Sequence, residues 1–442
     1  MIKVITYGTY DLFHYGHQRL LERAKNLGDY LIVGVTTDDF DKKRGKINVK
    51  QSLMERIESV RATGLADEII VEEYEGQKID DIKRYGVDIF AIGSDWVGEF
   101  DYLKEFCDVV YLPRTEGISS SDIRSEYRSV NLGLVGNGNI IKKFFDESKL
   151  VNGITVNAIC TDNEKEKKCY ENEELSLIDD YDELLNLVDA VFILSHPSKH
   201  YSQIKKALNQ GKHVLCESPI ALAKNEYVEL EKLASENDLI LMDSIKTAYS
   251  TAFNRLLLLI KKGNIGDVYS VDATCTSIRE YDDKSWNSIS SWGPTALLPI
   301  FQILGVDYKN KTISSLILED KPNFDLFTKI DFQFENAVAS IKVGNSVKSE
   351  GELIISGSEG YAYVPAPWWK TDYFELRYEN QEDNKKYFYQ LDGEGIRYEL
   401  VAFAKSIELG KNNAYVENQV SKAICKIMED FENNEFDIIN KY

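Results

Sequence analysis

Thr6-Tyr-Gly-Thr-Tyr-Asp-Leu-Phe-His14-Tyr-Gly-His17 is the stretch on which the reading of this 442-residue chain turns. It follows a short apolar, β-branched run, Ile2 to Ile5, with the length of a buried strand. It leads into Gln18-Arg-Leu-Leu-Glu-Arg-Ala-Lys25, whose apolar spacing is helical. The stretch is therefore a strand, a turn and a helix start. Gly8 and Gly16 let backbone approach a ligand closely, and the N–H groups at a helix N-terminus attract phosphates. His14 and His17 stand three apart, which puts both imidazoles on one face of the first helical turn if the helix has begun by then. An isolated pair of His is as readily a pair of capping or surface residues; here the chain has five His, and two of them fall in a glycine-flanked turn.

Two further motifs follow in order, Gly93-Ser-Asp95-Trp96 and Arg114-Thr115-Glu-Gly-Ile-Ser119-Ser120-Ser121. Together with Gly8 to His17 they make residues Met1 to about Glu126 resemble the nucleotidyltransferases with the His-x-Gly-His signature, most closely the glycerol-3-phosphate cytidylyltransferases. Strand and helix alternate through Tyr30 to Thr36, which ends at Thr37-Asp38-Asp39, then Ser52 to Arg61, Glu68 to Val71, Ile79 to Tyr85, Ile89 to Ile92 and Val109 to Leu112. That alternation indicates a parallel sheet with helices on both faces and ligands at the carboxyl ends of its strands. Ser119 with Asp122 fits a capping box opening a second helix, where hydroxyls, N–H groups and Arg114 would hold a phosphate; on its own it reads as a plain cap.

The resemblance implies that Gly8, Thr9, Tyr10, Asp11, His14, Gly16 and His17 form a nucleotide-binding turn, with Asp38 and Asp95 at neighbouring strand ends. Asp11 is expected to hold the turn rather than touch substrate. Lys46 matches a lysine of the family's loop, and Arg114, Thr115, Ser119 and Ser120 match its last motif. A phosphate monoester oxygen is already charged at neutral pH, so it attacks the α-phosphorus of CTP without a general base. The reaction needs in-line positioning and charge neutralisation. His14, His17, Lys46 and Arg114 are the expected donors, and Mg²⁺ is expected to bridge the triphosphate oxygens. The helix from Ser52, with Arg56 and Arg61, helps bind the acceptor in the family but does not align securely here, which leaves the polyol phosphate open.

The length suggests roughly three domains. A formal charge of −21 argues against a nucleic-acid or anionic-membrane surface. No apolar run approaches the ~20 residues that cross a bilayer, and the chain opens directly on a strand, so neither membrane insertion nor a signal peptide is expected and the cytoplasm is the expected location. The six Cys are scattered without zinc spacing and read as buried structural thiols.

After a joint at Tyr127 to Asn131, Leu132-Gly-Leu-Val-Gly136-Asn137-Gly138-Asn139-Ile140-Ile141 reads as strand, glycine turn and helix, the G-x-G start of a dinucleotide fold with Ile141 where a third Gly usually sits. The strand Ile154 to Cys160 ends near Asp162, an acid placed to hold a ribose, one position later than expected, so NAD against NADP stays open. Further on come Ser195-His196-Pro197-Ser-Lys-His200 and Gly211-Lys-His-Val-Leu-Cys-Glu217-Ser-Pro219. With these, residues from about 131 to 435 resemble the Gfo/Idh/MocA oxidoreductases, named for glucose-fructose oxidoreductase and inositol dehydrogenase. The resemblance implies a nucleotide domain followed by an open, largely antiparallel sheet, entered through Ala252 to Tyr269, with strands such as Thr328 to Phe334 and Ala337 to Val343 and a helical end from Arg397 to Glu432. It also implies a cofactor site of Gly136, Asn137, Gly138, Asn139, Ile140, Asp162, Ser195, His196, Pro197, His200 and Glu217.

The departures are specific. The family's Glu-Lys-Pro is Glu217-Ser218-Pro219 here, the family's helix with Asp and His is Ala296-Leu-Leu-Pro299-Ile-Phe-Gln-Ile303, and no His follows His213. Lys246 is a candidate proton donor, read equally well as a solvated lysine, and Tyr249 is a second. The fold expected is α/β: a Rossmann-like nucleotidyltransferase domain (1–128), a dinucleotide-binding Rossmann domain (129–248) and an α+β domain (249–442). The function expected is a cytidylyltransferase that joins CTP and a small polyol phosphate, glycerol 3-phosphate or similar, into a CDP-polyol for wall or capsule polymers. The remainder would be an NAD(P)-dependent reductase making that polyol phosphate from a keto or aldehyde sugar phosphate. The alternative keeps the transferase and makes the remainder a non-catalytic binding or oligomerisation module; a homo-oligomer is expected by analogy.

Overall fold

The computed structural model describes residues 1–37, 40, 41, 49, 51, 53–74, 76–113, 129–151, 153–170, 173, 175–278, 286–318, 321–389 and 391–440. They form two compact units, 1–129 and 130–442. In the first unit, β1 (Lys3–Gly8), β2 (Tyr30–Thr36), β3 (Glu68–Glu72), β4 (Ile89–Gly93) and β5 (Asp108–Leu112) make a sheet in the order β3-β2-β1-β4-β5. Every pairing in it is parallel. Val4, Ile5, Leu31, Ile32, Val33 and Val35 are fully enclosed, so β1 and β2 are unbroken apolar runs rather than alternating ones. β1 runs on past Ile5 because Thr6 and Tyr7 stay in register with Val33 and Gly34, and a Cβ at Gly34 would lie 2.2 Å from the Tyr7 ring. The chain reverses its direction of strand addition between β1 and β4, the switch point at which ligands bind in such sheets, and the helices of this unit are α1 (Tyr15–Lys25), α2 (Leu53–Ala62) and α3 (Gln77–Tyr85).

The second unit holds two sheets. Strands β6 (Val130–Gly136), β7 (Ile154–Cys160), β8 (Ser176–Ile178), β9 (Ala190–Leu194), β10 (His213–Glu217) and β11 (Leu241–Ser244) pair in the order β11-β10-β9-β6-β7-β8, all parallel. Strands β12 (Val268–Thr276), β13 (Asn310–Leu318), β14 (Lys321–Gln333), β15 (Val338–Gly344), β16 (Leu353–Gly357), β17 (Gly360–Val364), β18 (Tyr373–Tyr378), β19 (Lys385–Phe388) and β20 (Asp437–Asn440) form a mixed sheet. Its pairings are antiparallel except β12 with β15 and β13 with β20. The helices that matter below are α4 (Asn139–Ser148), α5 (Lys224–Glu236), α6 (Ser288–Leu304), α7 (Ile396–Leu409) and α8 (Asn418–Glu432).

No division between compact units falls near residue 248, because one hydrophobic core runs from Leu132 of the parallel sheet to Phe431 of α8. The expected helical end is two helices parted at Gly410 (φ +60°), and Asn418 of α8 donates to Glu231 of α5 at 2.7 Å, tying the C-terminus back to the parallel sheet. β20, which no periodicity announced, then adds to the edge of the mixed sheet. None of the six Cys forms a disulfide, and Cys169 is exposed and Cys107 half-buried rather than buried. Among the described residues no helix is long and apolar enough to cross a membrane.

Candidate active sites

The turn after β1 carries two non-glycine residues in the left-handed region, Tyr10 (φ +54°) and Leu12 (φ +48°), a conformation costing about 1–2 kcal/mol each. Side chains from elsewhere hold it there. Asp11 accepts from Gln51 N–H at 2.9 Å, Gln51 accepts from Leu12 N–H at 2.8 Å, and Thr9 donates to Asp41 at 2.8 Å. Arg56, wholly buried on α2, donates to the carbonyls of Thr9 (2.8 Å), Thr36 (2.8 Å) and Gln51 (3.2 Å) and lies 3.6 Å from Asp41. This arginine clamps the ends of β1 and β2 together. Its signal in the sequence is its place one residue before Ile57 and four before Val60, the buried face of α2; Arg61, by contrast, is exposed and paired with Glu58.

His14 is the N-cap of α1, and its Nδ1 accepts from Gly16 N–H at 3.0 Å. That bond places the proton of the neutral ring on Nε2. His17 lies in the first turn, its ring stacked on that of His14 with centroids 3.9 Å apart, so the two imidazoles share one face as the spacing predicted. Asp11 braces the turn through its bond from Gln51. The Tyr10 ring is buried against Gly8, where a Cβ would meet it at 2.9 Å, so it shapes the turn through the core. Asp95 is exposed in the short helical turn Ser94–Trp96 after β4. Asp38, Lys46, Arg114, Thr115, Ser119, Ser120 and the capping box with Asp122 lie outside the described residues. Among the described residues no group of three or more His, Cys, Asp or Glu is arranged to hold a metal ion.

In the second unit, Gly136 (φ +140°) and Gly138 (φ +103°) open α4. A Cβ on Gly136 would lie 2.7 Å from the Leu194 carbonyl, while the same position on Gly138 faces open space. The first glycine thus permits the close crossing of β6 and β9, and the second leaves the face where a pyrophosphate approaches the helix N-terminus at Asn139. Asn137 donates to the exposed Asp162 at 2.8 Å and accepts from Thr161 at 2.5 Å, while Ile141, in place of a third glycine, is buried in the core. These residues fit a bound dinucleotide. Gly136→Ala should raise the Kd for NAD(P)H by at least about 30-fold in a fluorescence titration, since φ and contact both exclude a side chain; a change under threefold would contradict this placement.

Ser195 and His196 follow β9, and His196 caps the turn Pro197–Lys199. His200 is fully buried, with its nitrogens 2.7 and 2.8 Å from the carbonyls of Ser195 and Pro219. Burial pushes its pKa down to about 4 even though both carbonyls favour the charged ring. A neutral ring donates to only one of these carbonyls, and its burial keeps His200 within the loops after β9 and β10.

A cavity of about 510 Å³ lies beyond these loops, lined by Ile140, Leu194, Glu217, Lys246, Trp292 and Trp369 among others. Thr247 donates to Trp369 O at 3.0 Å and Ser250 to Thr371 O at 3.2 Å, which fixes the segment carrying Lys246 against the mixed sheet. Burial pushes the Glu217 carboxyl up to about 7 despite the charge of Lys246, and burial raises Asp243 to about 6. Glu399 of α7, wholly buried and accepting from Ser244 at 3.0 Å, is pushed well above the carboxylate range by burial. Tyr249 does not reach the cavity: it is 2% exposed, stacked on Tyr415 with centroids 5.0 Å apart, and burial holds its phenol far above the ordinary value. Glu399 lies too far along the chain, and in too ordinary a helix, for the sequence to mark it.

Residues 5–126 match the family model of the cytidylyltransferase-like proteins, and residues 130–244 that of the oxidoreductase family with an NAD-binding Rossmann fold. Glycerol-3-phosphate cytidylyltransferase of Bacillus spizizenii is 53% identical over 130 residues, which is 29% of this chain and 100% of that protein. The enzyme of the same name from Staphylococcus aureus is 50% identical over 129 residues, 28% of this chain and 95% of the relative. Among solved structures, a 3-ketoreductase from Actinomadura kijaniata in complex with NADP and TDP-benzene superposes with a TM-score of 0.64 at 17% identity, covering 71% of this chain and 100% of that one. At that identity the likeness shows the fold alone.

Proposed function

Because the chain belongs to the cytidylyltransferase-like family through its first unit and carries an NAD-binding oxidoreductase-family domain in its second, we propose that it makes a CDP-polyol in two steps. The second unit reduces a small keto or aldehyde sugar phosphate to a polyol phosphate, glycerol 3-phosphate or a near relative. The first unit joins that product to CMP.

In the transfer step an oxygen of the polyol phosphate forms a bond to the α-phosphorus of CTP as the bond to pyrophosphate breaks. His14 and His17 donate to the triphosphate from one face of α1, and Lys46 and Arg114 add charge as the pyrophosphate departs. Mg²⁺ belongs to this reading as a counter-ion held chiefly by the phosphates, since it keeps several waters and seldom takes an all-protein cage. In the reductive step the bound dinucleotide supplies a hydride. The chain's own part is to hold the carbonyl in the cavity and give its oxygen a proton, the role of Lys246, with Glu217 beside it able to exchange a proton near neutrality.

The observation that carries this reading over a transferase with an inert partner is the cavity itself. Its lining supports the reading, with Lys246 beside the protonatable carboxyl of Glu217, which ends β10 of the dinucleotide sheet, although Ser218 stands where the family has lysine. The test gives the full chain CTP, Mg²⁺ and either dihydroxyacetone phosphate or ribulose 5-phosphate, with and without NADH or NADPH, and measures pyrophosphate. Release that requires reduced cofactor, and is abolished by Lys246→Ala, is the expected result. Release with glycerol 3-phosphate alone, and no cofactor oxidation with any carbonyl, would leave the second unit a binding or assembly module.

A further inference from the structure

Three lysines that no sequence spacing brings together meet at one wall of the cavity. Lys143 comes from α4, Lys246 from the segment after β11 and Lys370 from the turn between β17 and β18. All three point at a single carboxylate, that of Glu394, at 3.1, 3.5 and 2.7 Å respectively. Glu394 sits in the left-handed region (φ +54°, ψ +25°) between Gly393 (φ +59°) and Gly395 (φ +90°). The chain is held in this shape by close contacts on both sides: a Cβ on Gly395 would lie 2.4 Å from the Lys246 carbonyl, and one on Gly393 would lie 2.2 Å from the Glu147 carboxylate.

Such a network is a poor device for stability. The lysine side chains keep 51, 27 and 39% of their exposure, and ion pairs that wet contribute little. The charges do not close either, because three cations face the one carboxylate of Glu394, and the Glu217 carboxyl beside Lys246 is held up to about 7. Burial alone would raise Glu394, but the bonds from Lys370 and Lys143 and the charge of Lys246 hold its carboxyl down at about 2, so it is ionised at any working pH. A carboxylate that three lysines hold at a cavity wall occupies the place of an anion, and a phosphate monoester dianion in that place brings one more negative charge than the carboxylate it replaces.

We propose that Lys143 and Lys370 form the phosphate subsite of the reductive cavity, in which Glu394 is a resident carboxylate that the substrate's phosphate displaces, leaving Lys246 for the carbonyl. This rests on the reading of the second unit as a reductase and names its substrate class: a small carbonyl compound carrying a phosphate ester. Binding then proceeds by exchange of one anion for another. The lysines are kept from repelling one another in the empty cavity, and an unphosphorylated carbonyl has no means of releasing Glu394.

The test compares dihydroxyacetone phosphate with dihydroxyacetone in NAD(P)H oxidation by the full chain and by Lys143→Met/Lys370→Met. The expected result is that the preference for the phosphorylated substrate, as a ratio of kcat/KM, falls about 100-fold in the double variant, two charge-assisted bonds being lost. Equal use of the two substrates by the parent, or a preference that survives in the variant, overturns the subsite. If no carbonyl is reduced at all, the reductase reading fails and the subsite is judged by binding. Trp292 and Trp369 line the cavity, and their fluorescence on titration with inorganic phosphate should respond in the parent and weaken at least tenfold in the double variant; an unchanged or absent response overturns the proposal. Glu394→Gln separates displacement from mere proximity: without the resident charge, phosphate should bind severalfold tighter, and weaker binding would refute the exchange.

Discussion

Arg56→Met is expected to remove about 3–5 kcal/mol from the stability of the first unit, a large part of what holds a domain of this size folded. The guanidinium is fully enclosed and spans three carbonyls belonging to three different segments, at Thr9, Thr36 and Gln51. Methionine fills much of the same volume, so the loss is not one of packing. It comes from leaving the buried Asp41 carboxylate without the cation 3.6 Å away and the carbonyls without their donors. Arg56→Lys separates these parts, because an ammonium restores the charge but not the planar fork, and should recover roughly half of the loss. The measurement is hydrogen exchange resolved by peptide across a denaturant series, in which peptides of residues 1–113 lose protection while those of 130–442 do not. A loss below about 1 kcal/mol would mean that the turn at Thr9 to Leu12 is held without the arginine.

The contrast between Arg56 and His14 shows what a linear chain does and does not disclose. The turn at Gly8 to His17, the parallel strands and the glycine pair at 136 and 138 are local patterns, in which the residue types that make the structure are neighbours in sequence; they were legible. Arg56 looks like any charged residue on a helix until the helix is known to bury the face shared with Ile57 and Val60. Glu394 and its lysines are further beyond reach, since their positions span 143 to 394 and meet only because α4, the turn after β11 and the segment before α7 converge on one cavity. The boundary expected near residue 248 is a related matter. Apolar periodicity marks which faces are buried but not against what, and here one face of the parallel sheet shares a core with the mixed sheet while its other face has a core of its own. His200 and Tyr249 carry the opposite lesson: residue types suited to catalysis, at positions near a site, turn out to be enclosed within the scaffold that shapes it.

Removal of the His14 donor should lower kcat for CDP-polyol formation by about 10²–10³-fold, the usual cost of losing one preorganised donor at developing charge. His14 also caps α1, so His14→Ala alone would confound two roles: losing the cap costs about 1 kcal/mol of stability. His14→Asn resolves them, because asparagine caps well through its side-chain oxygen but is too short to offer an N–H where Nε2 stands. Both variants should therefore lose activity to a similar extent, while the alanine variant alone loses stability in thermal denaturation. If His14→Asn retains full activity, His14 serves α1 as a cap and the triphosphate is held by other donors.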